Sequence, residues 1–179
     1  MNKIADRQTL GLFSGLIGGI SLLIFDWISY SLGVSKRMYS ETAAGVWVNS
    51  RWQSRTFSGH LLGTIMTLCL CMLGGVAKVN MLTKSGRDKI ITKGLWFGVS
   101  FGAIITGLTS GFVMNKLKPK DANSNLSYVA ASGMYGLVTS ILISKLGHDS
   151  LFDQEPVNNQ IKPTMLTSEE KENAPIAAK

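Results

Sequence analysis

The chain has 179 residues and a formal net charge of +7, yet only 16% of its residues are charged, and it carries 19 glycines against 4 prolines. A water-soluble domain usually holds about 25% charged residues; here the charges are also segregated, with long runs holding almost none, which argues against an ordinary soluble globule. No aromatic platform or basic stripe supports a nucleic-acid partner. The basic residues flank apolar runs, where lysine and arginine reach lipid phosphates.

Four runs are long enough to cross a hydrocarbon core about 30 Å thick, which takes roughly 20 helical residues. They lie near Thr9–Tyr30, Gly59–Val79, Gly94–Asn115 and Ser127–Leu146. Backbone groups in lipid must be satisfied within the segment, so each run is predicted to be a helix. The fold class expected is therefore all-α, an integral membrane bundle of four transmembrane helices over residues 1–147. A disordered polar tail is expected over 148–179.

The first run, "GLFSGLIGGISLLIFDWISY", follows the basic residues Lys3 and Arg7. It lacks a small-x-small cleavage site, so it reads as a retained helix rather than a signal peptide. Asp26 interrupts it about four residues from its end, or ~6 Å of helix rise, beside Trp27 and Tyr30, which favour the headgroup layer. A carboxylate nearer the bilayer centre costs ~2.5–3.5 kcal/mol and requires a partner or a function. Three readings stay open for Asp26: an interfacial anchor, a structural pair, or a residue on an ion or solute pathway.

In the connection that follows, Ala44, Trp47, Val48 and Trp52 could share one helical face with Arg51 and Arg55 at its margin. That suits either a short helix lying in the interface or a loop packed over the bundle. The second run opens with "FSGHLLGT". If the helices alternate in direction, His60 lies at a depth similar to Asp26, and the two can pair, to fix two helices together or to relay protons. Cys69 and Cys71 are two residues apart and point to nearly opposite faces, so they cannot pair with each other. Lys78 and Lys145 fall at span ends and are expected to snorkel.

The connections "NMLTKSGRDKIITK" and "KLKPKDANSNL" are short and imply antiparallel neighbours. After Gly147, Pro156, Pro163, Pro175 and scattered acids leave too little apolar surface to offset ordering entropy. An even number of spans puts both termini on one side. Counted up to Lys162, nine basic residues lie there (Lys3, Arg7, Lys78, Lys84, Arg87, Lys89, Lys93, Lys145, Lys162) against seven opposite (Lys36, Arg37, Arg51, Arg55, Lys116, Lys118, Lys120). That imbalance points to cytoplasmic termini.

Small residues recur every four positions in every span. The first has Gly11, Gly15 and Gly19; the second Gly59, Gly63, Thr67, Cys71 and Gly75; the third Gly94, Gly98 and Gly102, then Gly107 and Gly111; the fourth Ser132, Gly136, Ser140 and Ser144. Helices in lipid associate through close packing, and such stripes let backbones approach, within one bundle or across a dimer. No phosphate-binding loop, metal-ligand cluster or nucleophile with a base at a recognisable spacing occurs. No cofactor, no metal and no catalysis are expected. The function expected is that of a non-enzymatic membrane protein acting through helix packing, as a homo-oligomer or with a membrane protein partner. The alternative is an ion, proton or solute transporter or channel component using Asp26 and His60.

The first span "GLIGGI…DWISY", the tryptophan-bearing connection, "FSGHLLGTIM" and "TKGLWFGVSFG" together resemble the small, uncharacterised four-helix membrane proteins of bacteria known as YqhR-like, over roughly Leu10 to Leu146. The resemblance implies a bacterial cytoplasmic membrane and carries over no activity and no functional residue.

Overall fold

A computed structural model describes residues 3–112 and 121–152. Among them lie four long helices, α1 (Arg7–Ser31), α4 (Phe57–Ser85), α5 (Ile90–Phe112) and α6 (Ala122–Leu146), with two short ones, α2 (Tyr39–Ala44) and α3 (Arg51–Ser54), between α1 and α4. The four long helices are long and apolar enough to cross a membrane. Each begins before its predicted span, and α4 also continues six residues beyond Val79. The predicted end of the third span at Asn115, the lysines of the last connection and the tail from 153 onward lie outside the described residues.

Polar side chains start these helices. Asp6 accepts from the Thr9 N–H at 2.6 Å, Thr56 from the Gly59 N–H at 3.2 Å and Asp121 from the Ser124 N–H at 3.2 Å. Each satisfies a donor that the first helical turn leaves open. Gly86 closes α4 at φ +76°, a left-handed conformation that glycine adopts without strain.

The helices pack in the order α4–α1–α6–α5, each packed pair antiparallel. Glycines set the spacing. Gly11, Gly15 and Gly19 of α1 lie against Val76, Met72 and Cys71 of α4. Gly94, Gly98 and Gly102 of α5 lie against Gly136 and Ser132 of α6; a Cβ at Gly98 would stand 2.9 Å from the Gly136 Cα. Gly18, outside the α1 stripe, meets Tyr135 and Thr139 of α6. The central helix α1 thus carries two glycine faces, one for each neighbour.

The short α4–α5 connection does not produce the expected packed neighbours. Those helices touch through a few side chains: Lys78 Nζ donates to the Lys93 carbonyl at 2.7 Å and sits 4.8 Å from the Phe97 ring centroid, Lys93 Nζ donates to the Ser85 carbonyl at 2.7 Å, and Phe101 lies against Gly74. Lys78 is fully buried rather than snorkelling, because α4 continues through Ser85 and leaves it well inside the helix. Nearby, Tyr135 of α6 crosses the centre of the bundle and donates to the Cys71 carbonyl at 2.7 Å.

The end of the bundle that holds both described termini is sealed. The Ile4 N–H donates to the Leu146 carbonyl at 2.8 Å and the His148 N–H to the Ile4 carbonyl at 2.9 Å. Asp149 pairs with Lys3 at 2.6 Å and with Arg87 at 2.8 Å. Leu151 and Phe152 are buried among Leu10, Val79, Leu82 and Ile143. Residues 148–152, expected to begin the tail, are therefore part of the packed domain.

Candidate functional site

The opposite end is capped by α2, whose sequence YSETAA has too little apolar surface to hold itself in place. Four consecutive residues fasten it to four different elements. The Tyr39 N–H donates to Asp26 Oδ2 of α1 at 2.6 Å. Ser40 Oγ lies 3.0 Å from His60 Nδ1 of α4. Glu41 accepts from Arg55 Nε, at the end of α3, at 2.9 Å. Thr42 Oγ1 lies 3.2 Å from the Tyr128 hydroxyl of α6. Gly63 of α4 makes room, since a Cβ there would run into the Ser40 carbonyl.

Asp26 answers the question its position raises. Tyr39 is the first residue of α2, and the residue before it, Met38, gives the helix no side-chain cap. The Asp26 carboxylate supplies that cap from another helix, satisfying an orphan N–H at a partly positive helix start. It is buried, which excludes a wet interfacial anchor. It does not pair with His60 either: the two hold adjacent residues of α2 instead. Asp26 Oδ1 has no hydrogen-bond partner among the described residues.

Beside Asp26, Tyr39 and Tyr128 stack edge to face with ring centroids 5.2 Å apart. The Tyr128 hydroxyl and Ser35 Oγ both donate to the Arg37 carbonyl, at 2.9 and 2.6 Å. The Arg37 guanidinium donates to Asn125 Oδ1 at 3.3 Å and lies 5.8 Å from the Tyr128 ring centroid. Burial pushes the Tyr39 phenol well above its usual range, so it stays a neutral hydroxyl at all ordinary pH. None of this was readable from the sequence, in which Ser35, Arg37, Tyr39 and Tyr128 belong to no motif.

The connection is not one helix. Gly45 ends α2, and Ser50 starts α3 by accepting from the Gln53 N–H at 3.3 Å. Ala44 is consequently buried while Trp47 and Trp52 are exposed, 63% and 76%.

Under α2 lies a crevice of about 330 Å³. Met66, Thr67, Leu70 and Leu73 of α4 form one wall and Ile105, Thr106 and Thr109 of α5 the other. Tyr39, Ala43, Val46 and Trp47 roof it, and Tyr128 stands behind. Its walls are the parts of α4 and α5 beyond the Lys78–Lys93 junction, where the two helices diverge. Cys69 is exposed at its edge and Cys71 is buried. The lining is almost wholly apolar, suited to van der Waals contact with a hydrocarbon ligand.

Among the described residues no three His, Cys, Asp or Glu side chains come together to hold a metal ion. Comparison with protein families, curated proteins and solved structures finds no match to this chain.

Proposed function

We propose that this multi-pass membrane protein is non-enzymatic and acts by packing against a second copy of itself or another membrane protein. One observation carries the reading. Gly107 and Gly111 form a small-residue pair on α5 where an added Cβ would meet nothing within 4 Å among the described residues, whereas Gly94, Gly98 and Gly102 on the same helix are packed against α6. At 100° per residue, Gly107 and Gly111 lie on the side of α5 away from Ile105 and Thr109. Leu108, also exposed, lies next to them. A small-x-x-x-small face without a partner among the described residues is the kind of surface on which membrane helices dock.

The test is the Gly107→Leu/Gly111→Leu double variant, with oligomeric state and co-purifying proteins measured in mild detergent. The wild type is expected to purify as an oligomer or with a stoichiometric partner, and the variant as a folded monomer. A wild type that is monomeric and alone would overturn the reading. The same proposal places the protein in the bacterial cytoplasmic membrane with cytoplasmic termini, supported by the YqhR-like stretches and the nine-to-seven basic imbalance.

A second reading, a proton, ion or solute pathway through Asp26 and His60, is favoured by the buried, unpartnered Asp26 Oδ1. It requires flux through sealed vesicles that Asp26→Asn abolishes. Vesicles that move neither protons nor common cations would remove it.

A further inference from the structure

The crevice beneath α2 opens sideways between two helices long and apolar enough to cross the bilayer, so its mouth meets either lipid or another helix. A helix about 10 Å across, rising about 5.4 Å per turn, fills roughly 400 Å³ with each turn. The crevice holds about 330 Å³, too little for a single turn.

The roofed end supplies the second observation. Trp47 lines the crevice and is exposed, as a residue at headgroup depth is. Four residues further on, Arg51 opens α3, is exposed, and has no ion pair among the described residues. Glu41, on α2, is buried and already engaged by Arg55, so it does not neutralise Arg51. Lys36, also exposed at this end, interacts with the Asp121 carboxylate and so does not add to the unpaired charge. The apolar slot thus has, four residues beyond Trp47 at its edge, an exposed cation without an ion pair among the described residues, and arginine binds phosphate with two parallel N–H donors.

We propose that the α4–α5 crevice is a binding site for one acyl chain of an anionic phospholipid whose headgroup lies against Arg51. The inference rests on the chain being in a membrane and is independent of the partner surface on α5.

Tryptophan fluorescence tests it. Trp27, Trp52 and Trp96 are all well exposed, so Trp27→Phe, Trp52→Phe and Trp96→Phe leave Trp47 as the sole reporter. The full-length variant is reconstituted into phosphatidylcholine vesicles containing either acyl-brominated phosphatidylglycerol or acyl-brominated phosphatidylcholine. The anionic lipid is expected to quench Trp47 at a mole fraction roughly fivefold lower, the preference that one basic residue near a membrane surface confers. Arg51→Gln is expected to erase the difference without reducing quenching by the neutral lipid. Equal quenching by both lipids would overturn the proposal, as would no quenching by either, which would mean that protein fills the slot. Flotation with the vesicles is read first. Failure to float would remove the membrane reading itself, whereas equal quenching of a floating protein removes only the lipid site.

Discussion

Asp26 and Tyr39 stand on different helices, and the carboxylate of one caps the first N–H of the other at 2.6 Å, with Asp26 only 3% exposed. The contact fixes where α2 begins and, through Ser40, Glu41 and Thr42, holds a six-residue helix across the mouth of the bundle. A polar group so deeply buried is costly without a partner. Here the partner is a backbone donor that would otherwise be an orphan itself.

Removing that acceptor should loosen α2 before it unfolds the bundle. Asp26→Ala leaves the Tyr39 N–H buried and unpaired, at a cost of about 1–3 kcal/mol. Asp26→Asn keeps a carbonyl oxygen in place and is expected to lose less. Hydrogen exchange at the amides of residues 39–42 reads the effect directly. Exchange there should speed up in Asp26→Ala while the amides of α1 and α6 remain protected. Unchanged protection over 39–42 would show that α2 does not depend on Asp26.

The spans were legible because lipid imposes two demands, length and apolarity, that a run of residues meets or fails by itself. The α2 cap was not, because YSETAA is polar, and every contact that holds it comes from a distant element. His60 and Asp26 stood out as polar residues at matching depth, yet the sequence carries no sign that a short helix would come between them. Gly18 belongs to no four-residue stripe, because the stripe in α1 describes the face toward α4 and leaves out the one toward α6. Lys78 was misplaced for a different reason. Hydropathy ends a span where the apolar run ends, while the helix itself continues through Asn80, Thr83 and Ser85.

Gly98 and Gly107 sit on one helix in opposite circumstances and should respond unequally to the same change. Leu at Gly98 would force its side chain into the Gly136 backbone and the Ser132 carbonyl. Overpacking of this kind costs about 1–3 kcal/mol or more, and backbone leaves it nowhere to go. Gly107→Leu meets open space among the described residues and is expected to lower the thermal midpoint in detergent far less than Gly98→Leu, by no more than the loss of a bound partner accounts for. Equal midpoints for the two variants would mean that the α5–α6 contact does not stabilise the bundle.

Asp149 gives the domain a pH dependence at its sealed end. Hydrogen bonds from Lys3 and then Arg87 hold its carboxyl down to about 2, against an ordinary value of 3.8. A folded-state pKa below the unfolded one contributes stability that is fully present above the unfolded value. It is lost as the pH falls through the folded value, here from about 4 to about 2. The carboxylate is half exposed, so solvent screening limits the contribution to about 1 kcal/mol. Asp149→Asn should therefore be slightly less stable than wild type at neutral pH, and the two denaturation midpoints should converge near pH 2. A difference that persists undiminished at that pH would mean that the side chain acts by packing rather than by charge.

Lys78 offers a test of whether a buried cation is needed where α4 and α5 meet. Its ammonium group donates to the Lys93 carbonyl and lies near the Phe97 ring, while its stem fills space in the interior. Lys93 O stands in the first turn of α5, where it can also accept from the N–H four residues on, so removing Lys78 does not by itself orphan it. Lys78→Met keeps most of the volume and avoids burying a charge; volume-conserving swaps usually cost less than about 1.5 kcal/mol. Lys78→Ala leaves a void, and large-to-small changes of this size cost about 2–5 kcal/mol. Methionine is therefore expected to stay near wild type in detergent denaturation and alanine to fall well below it. If methionine proved as damaging as alanine, the ammonium group and its two contacts, rather than the volume of the stem, would be what closes the α4–α5 junction.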